Sequence, residues 1–505
     1  MHSLNGPAVK ERRLSRLVLT CVFPLFLSAA VVGCAEPGNK YVRAGAAGSA
    51  NGSDWTNAYP TLPSSLTRGS TYYVADGSYG SYTFDDAASG ATYITIRKAT
   101  AADHGTDIGW SSGFGDEAAT FGGIEFTTKY WIFDGVVGGG PGSWTNGFGF
   151  RVARTSSYPV VFVNGGGSVT LRHVEIQGAG DNGAPGGTGN DSLQVFGGNG
   201  PVTLSYAYLH NAGRCHFYHG GGSTSPLTAE YTYTGRYESV DAEHAELAVL
   251  RSSALFVFRW GVVTHEEGTG GFIAGDNGPT TAEIYGNVFY SSGEFGEWAS
   301  ENNGLFAAFT SGSAARQWKV HNNTFINLPS LLSVFNGGAS PQGNVASNNY
   351  FYNSPGHDVG GWGMQSFGHF QNSDKATGAS GTTGSGIPFV NYAGYDFNLT
   401  AATAPGQTLA PPYNVDMFGT VRGSDGTWDR GAIEFTAGDR GQRTSQPGSR
   451  QTAAGTVRPP GPSEPSRMRP ATPAPGEAAP AAAPRPPEGS AVLPPAVREP
   501  VRKRG

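Results

Sequence analysis

The sequence contains few cysteines and few charged side chains. Three of its 505 residues are cysteine: Cys21 lies in an apolar N-terminal run, Cys34 follows that run, and Cys215 stands alone in the body of the chain. A lone cysteine excludes a disulfide framework, and we expect Cys215 to be a small buried hydrophobe. Charged residues make up 14% of the chain and no apolar repeat keeps a helical period, which excludes long amphipathic helices.

Glycine and aromatic residues are abundant instead. The chain has 77 glycines, and between about residues 39 and 435 short apolar or aromatic runs alternate with turns of Gly, Asn and Ser. Such a composition is typical of all-β proteins with many tight turns.

The N-terminus predicts an export signal, because four basic residues between Lys10 and Arg16 precede the apolar run Leu17–Val32. A membrane-spanning helix is the alternative, but the run is shorter than the roughly twenty residues that cross a bilayer. The run ends in Val31-Val-Gly-Cys34, which resembles the lipobox of bacterial lipoproteins. This resemblance implies a signal peptide over residues 1–33 and a lipidated Cys34, and an ordinary signal-peptidase site nearby is the alternative.

The lipobox resemblance also implies where the mature protein resides. We expect an exported protein, attached through Cys34 to the outer membrane or the cell surface, with a short polar tether over residues 34–40.

Residues 437–505 cannot form a core. They hold nearly half of the 33 prolines, and a segment so rich in Pro, Ala and Arg predicts a disordered tail. The tail and the signal are basic, so the chain between them carries a net charge of about −15. An acidic body excludes nucleic acid as a partner, and it repels polyuronates unless calcium or local arginines intervene.

Three segments of the body repeat one pattern of an apolar residue, an asparagine and an aromatic residue. The segments are Ile284–Phe289, Val320–Phe325 and Ala346–Phe351. Their asparagines, Asn287, Asn323 and Asn349, recur at intervals of 36 and 26 residues, which indicates a solenoid. We expect each asparagine to form a left-handed corner and to stack on its equivalents in neighbouring coils.

Two earlier runs fit the same interior row. One contains Leu171, Val174 and Ile176, and the other contains Leu204, Tyr206 and Leu209. Leu171 and Leu204 are 33 residues apart, so we expect them on successive coils, with Tyr206 pointing inward.

Stretches at both ends of the body add a family resemblance. Tyr41–Arg43 with Gly48–Trp55 looks like an opening cap, Gly69–Tyr79 like a first coil and Asp429–Phe435 like a terminal segment. Together they resemble bacterial right-handed parallel β-helix proteins of the pectate-lyase-like superfamily. The resemblance implies an all-β, right-handed parallel β-helix over residues 41–436. The catalytic signatures of polygalacturonases and pectate lyases are absent, so no catalytic set is carried over.

Acidic and histidine side chains concentrate between Asp191 and Glu267, where successive coils would bring them side by side. The predicted catalytic residues are His216, His244, Glu246, Arg259 and Glu267. The predicted substrate-binding residues are Asp191, Gln194, His219, Glu243 and Trp260. A solvated polar ladder without chemistry is the alternative.

Two reactions remain open for this cluster. Hydrolysis requires two carboxylates, whereas β-elimination requires a base and a cation that neutralises a uronate carboxylate. Calcium is the candidate cofactor, because Asp181 and Asp191 carry the hard oxygens that it binds, although such residues also build turns without an ion.

The leading hypothesis is a monomeric, envelope-anchored lipoprotein that binds extracellular polysaccharide and cleaves it as a lyase or a glycoside hydrolase. The alternative is a non-catalytic surface adhesin or structural glycan-binding protein. Fold alone does not decide between them.

Overall fold

The computed structural model describes twelve ranges of the chain. They are residues 37–156, 158–180, 190–235, 246–264, 270–274, 281–291, 306–309, 317–328, 334–337, 345–353, 368–371 and 386–436. All of them belong to one compact unit, residues 1–452. No helix in these ranges is long and apolar enough to cross a membrane.

The described residues form strands and two short 3-10 turns, Ser112–Phe114 and Tyr392–Gly394. The first strands are β1 (Asn39–Val42), β2 (Thr71–Val74), β3 (Gly77–Phe84), β4 (Ile94–Lys98), β5 (Ala119–Phe126), β6 (Lys129–Asp134), β7 (Phe150–Ala153), β8 (Val161–Asn164), β9 (Gly167–Gln177), β10 (Leu193–Phe196), β11 (Val202–His210), β12 (Cys215–Gly220), β13 (Leu227–Thr234) and β14 (Glu246–Leu250). The later strands are β15 (Phe256–Arg259), β16 (Val262–Thr264), β17 (Gly270–Ala274), β18 (Thr281–Tyr285), β19 (Val288–Tyr290), β20 (Phe306–Phe309), β21 (Gln317–His321), β22 (Thr324–Ile326), β23 (Val334–Gly337), β24 (Val345–Ser347), β25 (Tyr350–Tyr352), β26 (Gly368–Gln371), β27 (Phe389–Asn391) and β28 (Asp396–Leu399).

Twenty-six of these strands join one continuous parallel sheet that winds around three faces. Face A stacks the second halves of β3 and β5, and then β8, β10, β12, β14, β17, β20 and β23. Face B stacks β1, β2, β4, β6, the first halves of β9, β11 and β13, and then β15, β18, β21, β24 and β26. Face C stacks β7, the second halves of β9, β11 and β13, and then β16, β19, β22 and β25. The all-β parallel β-helix predicted from the sequence is therefore confirmed.

Inward side chains of the three faces form one apolar core. Phe84 and Phe126 stack with ring centroids 4.6 Å apart. In the later coils Phe289, Phe325 and Phe351 stack in the same way, at 5.0 and 4.8 Å, and all three are buried. These distances match the spacing of neighbouring strands, so each coil contributes one layer of the core. The predicted interior position of these aromatic residues is confirmed.

The three predicted asparagines form a buried hydrogen-bonded ladder. Asn287 Nδ2 donates to Asn323 Oδ1 at 3.0 Å, and Asn323 Nδ2 donates to Asn349 Oδ1 at 3.1 Å. Each Nδ2 also donates to a backbone carbonyl. Asn323 Nδ2, for example, donates to Ile284 O at 2.8 Å. Because all three side chains are buried, these bonds satisfy groups that water cannot reach.

The prediction of the left-handed residue was wrong by one position. The positive φ angles belong to Gly286, Asn322 and Asn348, at 68°, 54° and 57°. The ladder asparagine comes directly after the left-handed residue and points inward. We call this turn, where face B meets face C, the B–C corner.

Strands β9, β11 and β13 turn the B–C corner without a break. Leu171 pairs with Leu204, as the interval of 33 residues predicted. Tyr206, however, is not an interior residue: its φ is 52°, it forms the corner, and Ala207 takes the inward position opposite Val174. A left-handed residue reverses the expected alternation, so the residue after it faces the core.

The described C-terminal residues pack back on face C. Phe389, Phe397 and Met417 share a second apolar cluster with the outward side chains of β16, β19, β22 and β25. The Gly431 backbone N–H donates to Asn348 O at 2.8 Å. The terminal segment predicted at Asp429–Phe435 therefore covers the face that the later coils would otherwise expose.

Candidate functional site

Face A carries an outward row of aromatic side chains. Tyr158 precedes β8, and Phe162, Phe196 and Tyr218 lie on the three successive strands β8, β10 and β12. Ring centroids are 5.5 Å apart for Tyr158 and Phe162, 5.8 Å for Phe162 and Phe196, and 5.2 Å for Phe196 and Tyr218. We call these four residues the aromatic row. Contiguous outward aromatic side chains are typical of a binding surface.

Two arginines lie on the rings at the ends of the row. The Arg154 guanidinium is 4.9 Å from the Tyr158 ring, and the Arg214 guanidinium is 4.7 Å from the Tyr218 ring. Both distances are within the range of a cation–π contact, which holds a cation at an aromatic surface.

The two arginines differ in their partners. Arg214 is held by Asp191, which accepts from Arg214 Nε at 2.9 Å and from Nη2 at 2.5 Å. Arg154, in contrast, donates no side-chain hydrogen bond to any described residue. Desolvation lowers the pKa of Arg154, and the nearby Tyr158 and Glu125 oppose this shift. Arg154 therefore presents unused donors beside the aromatic row.

The space for Arg154 is provided by Gly123. A Cβ atom at Gly123 would lie 2.3 Å from Arg154 Nε, so any side chain there would displace the guanidinium. Glu125, two residues later, accepts from Asn164 Nδ2 at 2.9 Å. Arg154, Glu125 and Asn164 are therefore the polar residues beside the N-terminal end of the aromatic row.

Of the predicted substrate-binding residues, Gln194 belongs to this surface. Gln194 pairs with Phe162 on one side and with Tyr218 on the other, so it lies between two members of the aromatic row. Gln194 is buried, at 8% exposure, so its binding role stays a prediction.

His216, a predicted catalytic residue, is fully buried. It contacts Ser192 Oγ at 3.0 Å and the Gly235 carbonyl at 2.8 Å. Desolvation by burial lowers the pKa of His216 to about 3, so the ring is neutral near pH 7. Its ring cannot reach a polysaccharide in this arrangement.

His219, a predicted substrate-binding residue, lies inside the β-helix. It pairs with Val195 and Leu250, both core residues, and contacts the Ser225 carbonyl at 2.9 Å. Burial lowers its pKa to about 4. It belongs to the core, so the predicted contact with substrate is not supported by its position.

Cys215 and Glu246 begin β12 and β14, and Asp191 lies two residues before β10. Cys215 pairs with Glu246, and its Sγ donates to Asp191 Oδ1 at 2.9 Å. All three residues are buried, and burial raises the pKa of the Cys215 thiol. The expected small buried cysteine is confirmed. Both Asp191 oxygens are already occupied by Arg214 and Cys215, which does not favour a calcium ion there.

We expected successive coils to bring His216 and His244 side by side, but another residue takes the position above His216. Cys215 pairs with Glu246 and Phe217 with Ala248, so Leu247 occupies the position above His216. Five further predicted positions lie outside the described residues. These are Cys34, Asp181, Glu243, His244 and Glu267. Within the described ranges, no group of three potential metal ligands is present.

Arg259 and Trp260 are grouped elsewhere. Trp260 takes the B–C corner with a φ of 54°, and the Arg259 guanidinium lies 4.3 Å from its ring. Arg259 also donates to Glu230 Oε2 at 2.8 Å and to Tyr285 Oη at 2.8 Å. The structure therefore brings these two residues together, but on a different strand column from Gln194 and His216.

Sequence reasoning did not identify Arg154, Tyr158, Phe162 or Phe196. The available signal was alternation in β8 and β10: Val161, Val163, Leu193 and Val195 point inward, so the residues between them must point outward.

Comparison with known proteins gives a structural likeness. No family model matches the chain. No curated protein matches it either. A solved structure, described as the crystal structure of pectate lyase Pel9A, superposes with a TM-score of 0.48 at 15% sequence identity, covering 80% of this chain and 98% of that one.

Proposed function

We propose that this protein binds polysaccharide along face A. The observation that carries the proposal is the aromatic row, in which Tyr158, Phe162, Phe196 and Tyr218 follow one another over three rungs. Aromatic faces offer apolar area with fixed geometry, and the C–H faces of sugar rings fit such surfaces. A glycan chain lying across the rungs would meet one or two rings on each.

The arginines favour a polysaccharide that carries acidic groups. The body of the chain is acidic overall, so an anionic polymer would be repelled unless a local cation compensates. Arg154 supplies that cation, because its donors have no partner among the described residues, and guanidinium groups bind carboxylates bidentately. Arg214 contributes less, since Asp191 already neutralises it.

The cellular setting is part of the proposal. Lipidation at Cys34 would hold the β-helix at the cell envelope, where it would meet extracellular polysaccharide as a monomer without nucleic-acid partners. Binding alone corresponds to the non-catalytic alternative, whereas cleavage would add a lyase or hydrolase reaction.

Affinity electrophoresis in gels containing acidic and neutral polysaccharides tests the binding face. Tyr158→Ala should weaken binding roughly threefold to tenfold, as expected for a lost aromatic contact. Arg154→Gln should weaken binding of acidic polymers roughly tenfold or more, because charge-assisted hydrogen bonds are lost.

Tyr93→Ala is the matched control. Tyr93 is 38% exposed and Tyr158 43% exposed, but Tyr93 packs on Tyr130, away from the aromatic row. Equal binding by all three variants and the wild type, or no binding to any polymer, would contradict the proposal.

A further inference from the structure

A lysine occupies a core position at the end of β4. Ile94 and Ile96 point inward on that strand, and Lys98 continues the inward row, where it pairs with the core residue Val74 of β2. The Lys98 side chain is only 1% exposed. Lysine is almost never fully buried unless a partner compensates its charge, so the group that faces Lys98 determines its chemistry.

That group is the carboxylate of Asp76. Asp76 lies in the turn between β2 and β3, where its backbone N–H donates to Phe114 O at 2.9 Å. Lys98 Nζ is 2.5 Å from Asp76 Oδ1, and this oxygen is buried. The Asp76 side chain as a whole is 14% exposed. The amine and the carboxyl group therefore meet in a space from which water is largely excluded.

The other oxygen of Asp76 is held by the backbone. Asp76 Oδ2 accepts from the Asp116 N–H at 3.0 Å and from the Glu117 N–H at 2.8 Å. Two backbone donors on one oxygen stabilise negative charge that develops there, as in an oxyanion hole. They also hold the carboxyl group in place, with Oδ1 as the oxygen beside the amine.

The surroundings of Lys98 favour a neutral product. Desolvation by burial lowers the pKa of Lys98, although Asp76 and Asp116 oppose this shift. Gly149 packs on the lysine stem, because a Cβ atom there would lie 2.8 Å from Lys98 Cγ. A buried ion pair carries a desolvation cost that a neutral amide of the same two groups avoids.

We propose that Lys98 and Asp76 form an intramolecular isopeptide bond, an amide that links the end of β4 to the turn after β2. A nucleophilic amine, a carboxyl carbon and donors for the oxyanion are the groups that this acyl transfer needs. Because the fold holds them together, the reaction has the high effective concentration of an intramolecular step. This cross-link is independent of polysaccharide binding.

The reaction releases one water and needs no oxidant or reductant. A proton moves from Lys98 Nζ to Asp76 Oδ1, and the neutral amine attacks the carboxyl carbon, Cγ. The electron pair of the carbonyl bond moves to Oδ2, where the N–H groups of Asp116 and Glu117 stabilise it. Oδ1 then takes a second proton from Nζ and leaves as water, and the carbonyl bond re-forms. The last proton stays on Nζ, which already donates to Ala99 O at 2.6 Å.

Peptide mapping of the full-length chain by mass spectrometry tests the link. Chymotrypsin cleaves after aromatic residues, so it separates residues 74–79, which contain Asp76, from residues 94–110, which contain Lys98. We expect these two peptides as one branched species, lighter than their sum by one water. Fragmentation should place the branch at Asp76 and Lys98. Only the two linear peptides from the folded wild-type chain would overturn the proposal.

Two variants assign the link to its residues. Lys98→Arg keeps the positive charge but has no amine of this kind, and Asp76→Ala removes the carboxyl carbon. Both should lose the branched species completely and yield linear peptides instead. Persistence of the branched species in Lys98→Arg would contradict the assignment. The wild-type result decides the existence of the link even where a variant does not fold, which thermal unfolding shows.

The matched control is the ion pair of Lys319 with Glu283, whose Nζ–Oε1 distance is 2.9 Å. Its side chains are 30% and 16% exposed, and no backbone N–H of the described residues donates to Glu283. Lys319 and Glu283 should therefore stay unlinked, and Lys319→Arg should keep the branch at Lys98. A branch between Lys319 and Glu283 as well would overturn the role given to burial and to the two backbone donors.

Discussion

The β-helix turns its B–C corner in two different ways along its length. In the earlier coils the corner residues are His173, Tyr206, Tyr231 and Trp260, all with positive φ. Their rings stack outside the helix, at 4.9, 4.8 and 5.2 Å between successive centroids. In the later coils Gly286, Asn322 and Asn348 take the corner, and the asparagine ladder stacks inside.

The comparison shows that one backbone turn can be stabilised from either side. A bulky residue with positive φ is strained, so the aromatic corner requires compensation, which the ring stack provides outside. The residues that follow those corners include Val174, Ala207 and Thr232. They have no side-chain amide with which to form a ladder. The change occurs at Gly261, whose backbone N–H donates to Asn287 Oδ1 at 2.8 Å.

Acidification should produce the largest difference in stability between the earlier and the later coils. His216 and His219 lie in the earlier coils with pKa values of about 3 and 4, and His321 lies in the later coils with a pKa of about 4; in each case desolvation is the main cause. The ordinary pKa of histidine is 6.5. At pH values between the lowered pKa and 6.5, the unfolded chain therefore binds more protons than the folded chain, and stability falls as pH falls. Each histidine should cost about 2 kcal/mol between pH 7 and pH 5.

The earlier coils should therefore lose more stability than the later coils. Hydrogen exchange at both pH values, corrected for intrinsic exchange rates, would resolve the two regions, because coils of a solenoid can open separately. His216→Gln with His219→Gln should remove most of this pH dependence from the earlier coils. Equal loss of hydrogen-exchange protection in the earlier and the later coils would contradict the lowered pKa values of His216 and His219.

Within the later coils, substitution of the central residue of the asparagine ladder, Asn323, should lower stability the most. Asn323→Ala removes the acceptor of Asn287 Nδ2 and the donor to Ile284 O, and both partners are buried. Unsatisfied buried groups cost about 1–3 kcal/mol each, so the variant should lose about 3 kcal/mol in urea unfolding. The control Asn353→Gly removes an exposed bond to Asn327 at a residue with a φ of 47°, which glycine tolerates, and should lose less than about 1 kcal/mol. A similar loss in both variants would show that the ladder adds little.

The ladder was predictable from the sequence because corner chemistry is local. An apolar residue, an asparagine and an aromatic residue at fixed spacing mark the B–C corner of one coil, and the interior stack of Phe289, Phe325 and Phe351 follows from that pattern. The aromatic corner was less predictable. Tyr206 was read as interior because an aromatic residue in a β-strand normally alternates with its neighbours, and only its positive φ angle reverses that alternation.

The candidate site was less predictable than the fold for a related reason. In β12 five of six residues are buried, so alternation of polarity does not distinguish the inner side from the outer side. His216 points outward, yet Ser192 and Gly235, from neighbouring coils, enclose it. The pairing of Cys215 with Glu246 depends on a loop length that the sequence does not reveal.

The smallest expected effect concerns the aromatic corner itself. Tyr231 lies between Tyr206 and Trp260, with a φ of 49°. Tyr231→Ala loses two ring contacts but keeps the strained backbone, so it should cost about 1–2 kcal/mol. Tyr231→Gly loses the same contacts but relieves a strain of about 1 kcal/mol.

At this position the glycine variant should therefore be more stable than the alanine variant, the reverse of the order in ordinary strands. Urea unfolding of the two variants, with Tyr93→Ala as a control that loses a single ring contact to Tyr130, measures the difference. An alanine variant at least as stable as the glycine variant would mean that the left-handed corner carries no strain. The ring stack would then have nothing to compensate, and the contrast with the asparagine ladder would reduce to a difference in side chains alone.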